Sequence, residues 1–125
     1  MRMRMMLVSL AMAGLAATSA LAEEGVYTAD LTRLVNDAAE GTCTAELMTA
    51  DLLKACQEQI GTLGPALKGL GAVQSITLTK AETSGSVRLE TYVVAYTNGT
   101  RLVWAIGARS SDGRFGALYS TGEAP

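Results

Sequence analysis

The sequence is poor in several residue types that catalysis and metal binding use. It has no histidine, two cysteines, one tryptophan and one phenylalanine among 125 residues. The absence of histidine removes the commonest general base and the commonest metal ligand. Five of the six methionines lie within the first twelve residues, a segment that we expect to be removed as described below, so we expect no methionine-rich metal site in the rest of the chain. No cluster of residues indicates nucleophilic or metal catalysis, and we expect no cofactor.

Charge of one sign is also lacking. Ten basic and twelve acidic residues give a formal net charge of −2, and both kinds are interspersed along the chain. Binding to the phosphates of a nucleic acid needs clustered Lys and Arg side chains. We therefore expect no nucleic-acid partner.

The first twenty-two residues have the pattern of a secretory signal peptide. Arg2 and Arg4 form a basic start, an apolar run covers residues 5–17, and Ala20-Leu21-Ala22 is a small-x-small cleavage site. The run is shorter than the roughly 20 residues that a membrane span needs. We expect cleavage after Ala22, export to the bacterial periplasm, and no membrane span in the remaining chain; an uncleaved anchor helix is the alternative. Residues 23–125 are enough for a single domain.

Cys43 and Cys56 are the only possible cysteine pair. Export favours a disulfide between them, with two buried thiols as the alternative. Thirteen residues of continuous helix would separate the two Cα atoms by roughly 20 Å, whereas a disulfide tolerates only about 4.4–6.8 Å. If the bond forms, the helix must break between them, and Thr49 is the predicted cap of the new helix.

The first half of the exported part has helical spacing of apolar residues. Thr28 is the predicted cap of a first helix, which ends at Gly41. The second helix follows Thr49, and the glycines at positions 61 and 64 are predicted to interrupt it. Pro65 then suits the first turn of a third, short helix.

From Val73 the period changes to an alternation of apolar and polar residues, which predicts strands. Asn98-Gly99 and Asp112-Gly113 are signals for two-residue hairpin turns between three of them. Together these elements predict an α+β fold, in which N-terminal helices pack on one face of a curved, cone-like, four-stranded antiparallel sheet.

The two turns predict which residues share a face of this sheet. Two-residue loops would pair Ala95 with Leu102 and Ile106 with Tyr119. The face under the helices would then include the candidate pocket or core residues Trp104, Phe115 and Tyr119. The opposite face would carry a candidate interaction surface for a second subunit or another protein, formed by Tyr92, Val94, Tyr96, Arg101 and Val103. The alternative for that surface is an ordinary half-exposed face of a curved sheet.

Several segments together carry a resemblance to a known superfamily. They are Leu70–Ile76, Tyr92–Gly99, Trp104-Ala105-Ile106 and Asp112–Phe115. Across residues 29–119 this pattern resembles small exported bacterial domains of the nuclear transport factor 2-like (cystatin-like) superfamily. The resemblance implies a cone-shaped α+β domain, and some members, such as ketosteroid isomerase, are enzymes that use acidic and tyrosine residues inside the cone. No position here matches those catalytic residues.

The function that we expect is that of a small exported, non-catalytic binding or interaction domain. It would act through the outer face of the sheet, as a homodimer or with an exported protein partner, or through a small apolar cavity in the cone. The alternative is an isomerase- or hydratase-like enzyme that uses a buried acid or Tyr119 on a small apolar ligand. A third hypothesis is a structural accessory to an exported hydrolase.

Overall fold

The computed structural model describes residues 25–125, and the predicted signal peptide lies outside them. Two helices pack against an open, curved sheet of four antiparallel strands in the order β1-β2-β3-β4, which confirms the predicted α+β class. The elements are α1 (Thr28–Ala39), a short 3₁₀ helix (Ala45–Leu47), α2 (Ala50–Lys68), β1 (Val73–Ser84), β2 (Val87–Tyr96), β3 (Arg101–Arg109) and β4 (Phe115–Glu123).

Helix α1 covers the sheet with the apolar side that its sequence predicts. Its buried residues are Leu31, Leu34, Val35 and Ala38. These residues recur every three or four positions, so they form one stripe on the helix. The stripe joins the side chains of β2, β3 and β4 in a single hydrophobic core. The predicted cap, by contrast, is displaced by one position, because Tyr27 and not Thr28 precedes the first helical residue.

Helix α2 begins where the sequence indicates but does not stop at its glycines. The Thr49 hydroxyl accepts a hydrogen bond from the Leu52 amide at 3.3 Å, as expected of a capping residue. The helix then continues to Lys68 and includes Pro65, so the predicted third helix is wrong. A Cβ atom at Gly64 would lie only 3.1 Å from the Ala38 carbonyl oxygen. Gly64 therefore allows α2 to approach α1 closely, and this packing outweighs the local tendency to break.

The disulfide between Cys43 and Cys56 is present, with a Cα–Cα distance of 6.1 Å. Cys43 precedes the 3₁₀ helix and Cys56 lies within α2, so the chain breaks its helix between them as predicted. The closed loop also contacts β4, because the Thr49 amide donates a hydrogen bond to the Phe115 carbonyl at 3.0 Å. The disulfide thus fixes the segment between the two helices, which contacts the last strand.

The first hairpin has a loop of three residues and not the predicted two. The Tyr96 amide donates to the Thr100 carbonyl, and the Gly99 amide donates back to the Tyr96 carbonyl, both at 2.9 Å. A two-residue Asn-Gly turn needs a positive φ at both central residues. Among residues 25–125, only Ala108 is a non-glycine with positive φ, so Asn98 does not meet that condition. Gly99, with a φ of 95°, instead ends a type I turn in the left-handed region.

The second hairpin differs from its prediction in the same way. The Ser110 amide donates to the Arg114 carbonyl at 2.8 Å, and the Gly113 amide donates to the Ser110 carbonyl at 2.9 Å. Gly113 has a φ of 86° and occupies the left-handed position at the end of this loop. Both strand pairs are therefore displaced by one residue from the predicted pairing.

This displacement exchanges the two faces of β2, so that the side chains predicted on the outer face lie on the inner face. Tyr92 pairs with Trp104, and Ala95 pairs with Arg101 where Leu102 was expected. Since side chains alternate between the faces of a strand, a shift of one residue exchanges the faces. Tyr92, Val94 and Tyr96 consequently lie in the core, with 0%, 0% and 3% of their surface exposed. The prediction that these three residues form an outer interaction surface is wrong.

The remaining members of the predicted faces divide as follows. Arg101 is exposed and Val103 is half-buried; Val103 pairs with Val93 on the outer side of the sheet. Trp104 and Phe115 lie in the core, as predicted. Tyr119 pairs with Ala105, is 47% exposed and does not belong to the core, because the displaced register brings Leu118 opposite Ile106 in its place.

Candidate functional site

A partly enclosed cavity of about 70 Å³ lies between the two helices and the sheet. Its walls come from α1, Met48, α2, β3 and β4. Its lining residues, taken in chain order, are Leu34, Val35, Ala38, Met48, Leu52, Ala55, Cys56, Gln59, Leu63, Trp104 and Leu118.

The cavity wall depends on the disulfide loop. Met48 lies in the loop that the disulfide closes, and Cys56 itself is one of the lining residues. Met48 is only 3% exposed and forms a parallel bridge with Phe115. The disulfide and the β4 contact together hold this wall against the sheet.

The lining is chemically almost uniform. Among the lining residues that the structure describes, only Gln59 and Trp104 carry a polar side-chain atom, and none is an acid or a base. The described lining therefore offers no group that could transfer a proton or attack a substrate. It can bind an apolar group, because contact with these side chains removes apolar surface from water.

Trp104 is the predicted site residue that the structure places at the cavity. It is 4% exposed, and its indole Nε1 makes no hydrogen bond within the described part of the chain. The hydroxyl of Tyr96 is buried and unpaired in the same way. Burial raises the pKa of Tyr96, and the nearby indole N–H of Trp104 opposes that rise, although the two groups do not reach hydrogen-bond geometry. The other two predicted residues of this set, Phe115 and Tyr119, are not lining residues.

A fully buried carboxylate, Glu90, lies at a different place on the inner face of the sheet. Its Oε2 atom accepts hydrogen bonds from Nε and Nη2 of Arg88, at 2.8 and 2.7 Å. Its Oε1 atom accepts from the Tyr27 amide at 3.1 Å and from the Tyr92 hydroxyl. Both carboxylate oxygens are therefore used, which is the condition for burying a charge at tolerable cost.

Tyr92 completes this cluster and connects it to α1. Its hydroxyl also accepts a hydrogen bond from the Thr28 hydroxyl at 3.3 Å. Burial, and next the hydrogen bond to the Glu90 carboxylate, raise the pKa of Tyr92 to about 12. The cluster joins the start of α1 to β2 by polar contacts, and neither Glu90 nor Tyr92 is among the described lining residues of the cavity.

The Glu90 cluster is not among the residues predicted from the sequence, because the predicted register turns this face of β2 outward. The signal was nevertheless present, since Arg88, Glu90 and Tyr92 alternate along one strand and so must share a face. A carboxylate flanked on the same face by an arginine and a tyrosine has partners of the kind that allow burial. Only the register decides whether that face is inside or outside.

Aromatic contacts surround the end of the core near this cluster. The rings of Tyr27 and Phe115 meet edge to face, with their centroids 4.9 Å apart. The guanidinium of Arg109 lies over both rings, at 5.9 and 5.4 Å from the centroids. Phe115 therefore acts as a core residue that connects the last strand to the start of α1.

Residues 25–125 contain neither a metal-ligand cluster nor a candidate membrane span. No group of three or more His, Cys, Asp or Glu side chains there could hold a metal ion. No helix in the same range is both long enough and apolar enough to cross a bilayer.

Comparisons with protein-family models, with curated proteins and with solved structures found no match to this chain. The resemblance to the nuclear transport factor 2-like superfamily therefore stays a prediction.

Proposed function

We propose that the protein is an exported, non-catalytic binding protein that takes a small apolar ligand into the cavity beside Trp104. The observation that carries this proposal is the cavity itself, which is lined by apolar side chains from both helices and the sheet. Ligand sites are typically apolar clefts with a few polar groups, and this cavity has that character.

The size of the cavity limits the ligand. One water molecule needs at least about 10–15 Å³ of such space, and a dry cavity of about 150 Å³ holds benzene. A cavity of about 70 Å³ therefore takes a short alkyl chain or part of a single ring, with the rest of the ligand reaching toward the open side. A large cofactor does not fit.

The enzyme alternative has less support. It needs an acid within an open pocket beside Trp104, and the buried acid Glu90 is not among the described lining residues. Arg88, Tyr27 and Tyr92 already occupy both oxygens of Glu90. Tyr119, the other candidate, is 47% exposed and also does not line the cavity.

A homodimer through the predicted outer surface of the sheet is not supported. Three of the five residues of that surface, Tyr92, Val94 and Tyr96, are in the core. A partner could reach them only by separating the helices from the sheet.

Export to the bacterial periplasm and membership of the nuclear transport factor 2-like superfamily belong to the same proposal. The disulfide supports an oxidising compartment. Expression of the full chain in a bacterium with a periplasm tests the export. A periplasmic product with the mass of a chain that begins at Glu23 supports the proposal, and a cytoplasmic product that retains its first residues contradicts it.

Binding is testable with the single tryptophan as the reporter. We expect small hydrocarbons of about four to eight carbons, such as methylenecyclohexane, to change the Trp104 fluorescence saturably. The variant Ala55→Leu adds three carbons to the cavity wall and should abolish the response while the protein stays folded by circular dichroism. Ala66→Leu is the matched control, because Ala66 is exposed on the same helix and does not line the cavity.

The result that would overturn the proposal is equally clear. If no hydrocarbon of this size changes the fluorescence, or if Ala66→Leu abolishes the response as effectively as Ala55→Leu, the cavity is not a binding site.

A further inference from the structure

The cavity follows the length of helix α2. Five of its lining residues belong to that helix: Leu52, Ala55, Cys56, Gln59 and Leu63. Positions three, four and seven apart lie on one side of a helix, so these residues form a single stripe. From Leu52 to Leu63 the stripe covers about three turns, or roughly 16 Å at 1.5 Å per residue. The lining residues of α1, at positions 34, 35 and 38, cover only about one turn.

Different parts of the molecule lie at the two ends of this stripe. At the first end, Met48 precedes α2 by two positions and bridges to Phe115. At the second end, Gly64 follows Leu63 and lies so close to α1 that a Cβ atom there would be 3.1 Å from the Ala38 carbonyl oxygen. Met48 and Ala38 both line the cavity. The space therefore extends from the disulfide loop to the contact between the two helices.

The volume is small for a space of this length. A compact cavity of about 70 Å³ would be about 5 Å across, close to the length of one helical turn. Along three turns the same volume forms a narrow slot. The slot is open on one side, because none of the described residues of α2 before Gly64 is buried and Gln59, in the middle of the stripe, is exposed. A ligand in it has one side against apolar side chains and the other toward water.

This shape favours an unbranched alkyl chain over a ring. Each carbon added to a chain extends it along the slot, whereas a ring of the same carbon number needs more width. A chain also gains from each methylene group that reaches the apolar wall, because the contact removes that group from water. A membrane lipid, with two long chains, exceeds the enclosed volume, so the chain belongs to a free molecule. The polar end of that molecule stays in water, since the described lining has no acid or base to pair with it.

We infer that the ligand of this cavity is a small free molecule with a single unbranched alkyl chain, which lies parallel to α2 between Met48 and Ala38. This inference rests on the proposed function and adds the shape and chemical class of the ligand. It assigns Leu52 and Leu63 the role of the two residues that determine how long a chain the cavity accepts.

The first test compares two alcohols with six carbons each, 1-hexanol and cyclohexanol, by the saturable change in the fluorescence of the single tryptophan. Complete burial of one methylene group corresponds to about a fourfold change in affinity, and a slot that is open on one side gives roughly two- to fourfold. The ring keeps at least two of its methylene groups away from the wall. We therefore expect 1-hexanol to bind at least about fourfold more tightly than cyclohexanol, and the affinity to rise about two- to fourfold per carbon from 1-butanol to 1-octanol.

Two variants of α2 test the length of the slot. Leu52→Phe and Leu63→Phe each add bulk at one end of the stripe. We expect each variant to weaken 1-octanol binding at least about fourfold, which corresponds to two methylene groups, and to change 1-butanol binding less than about twofold. Gln57→Phe is the matched control, because Gln57 is exposed on the same helix and is not a described lining residue, and it should leave both affinities unchanged. If the end variants do not fold by circular dichroism, the alcohol series decides alone.

The possible results separate the two proposals. Equal affinities for 1-hexanol and cyclohexanol, an affinity that stops rising beyond 1-butanol, or end variants that weaken 1-butanol as much as 1-octanol overturn the slot and leave the apolar binding function in place. We expect the protein to stay in the supernatant when phosphatidylcholine vesicles are sedimented, and sedimentation with them would overturn the free ligand in favour of a membrane lipid. If no alcohol and no hydrocarbon binds, the binding function fails, and the inference fails with it.

Discussion

Replacing Glu90 by glutamine tests the buried polar cluster directly. The substitution keeps the shape of the side chain and removes its charge. The glutamine oxygen can still accept from the Tyr27 amide and the Tyr92 hydroxyl, as Oε1 of Glu90 does. The new NH₂ group would then face Nε and Nη2 of Arg88, where Oε2 now accepts two hydrogen bonds at 2.8 and 2.7 Å.

The expected cost follows from what is lost and from where Arg88 can go. Removing one partner of a fully buried ion pair costs about 3–5 kcal/mol, because the other charge is left unpaired. The Arg88 side chain, however, is 29% exposed and can regain part of its hydration. We therefore expect Glu90→Gln to lower the free energy of unfolding by about 2–4 kcal/mol, which for a domain of this size lowers the Tm by at least about 8 °C.

Chemical denaturation with urea, followed by far-ultraviolet circular dichroism, measures this difference. Glu82→Gln is the matched control, because Glu82 pairs with Lys80 at 2.7 Å while both side chains are more than half exposed. Exposed pairs of this kind add little to stability, so the control should unfold with an unchanged midpoint. Equal midpoints for the two variants would refute the burial and pairing that we assign to Glu90.

Three more predictions concern the register, the tyrosine of the cluster and the disulfide. Val94→Thr should lower the free energy of unfolding by about 1–3 kcal/mol because it buries a hydroxyl, whereas Val93→Thr on the outer face should change it by less than about 0.5 kcal/mol. If urea denaturation shows the larger loss for Val93→Thr, the register of the two-residue turn is the correct one. Because the pKa of Tyr92 is about 12 in the folded protein and its ordinary value is 10.0, the unfolded chain releases this proton first. Stability should therefore fall as the pH rises from 10 toward 12, and an identical fall in Tyr92→Phe would exclude Tyr92 as its source. The double variant Cys43→Ala, Cys56→Ala should lose about 3 kcal/mol in urea denaturation, and a reducing agent should affect the unaltered protein alone; an equal effect on the double variant would contradict a stabilising disulfide.

The parts of the fold that were predictable from the sequence are those with local causes. The apolar spacing of α1 matches the residues that it buries, and Thr49 caps α2 as its position suggests. The break between the two helices followed from a simple length argument, since a disulfide requires Cys43 and Cys56 to lie closer than a continuous helix allows. In each case a few neighbouring residues determine the structure.

The interruption of α2 was a wrong prediction because its cause is not local. Gly64 and Pro65 disfavour a helix within their own segment. The close contact of Gly64 with the Ala38 carbonyl, 3.1 Å from where a Cβ would be, exists only after α1 and α2 pack together. No pattern within the segment indicates a contact between residues 26 positions apart.

The candidate site depends on a choice between two turns that the same residues allow. Asn-Gly and Asp-Gly suit a two-residue turn with two positive φ angles, and their glycines equally suit the last position of a three-residue loop. Each choice gives a face of β2 that contains apolar residues, because β2 alternates Val93 and Ala95 with Val94 and Tyr96. An apolar face of β2 is therefore expected with either register, and its presence does not distinguish between them.

What distinguishes the two registers is the fate of Glu90. With three-residue loops Glu90 enters the core. Burial of a carboxylate is unfavourable unless hydrogen-bond donors surround it, and here they do. Arg88 and Tyr92 enter on the same strand, and the Tyr27 amide is supplied by the start of α1. The register that buries Glu90 also buries two large tyrosines and Val94, so the apolar gain adds to a carboxylate whose two oxygens are both paired. The number of hydrogen-bond partners on each face, and not only the number of apolar residues, therefore favours the observed register. In this register Trp104 lies beside an apolar cavity with no acid in its described wall.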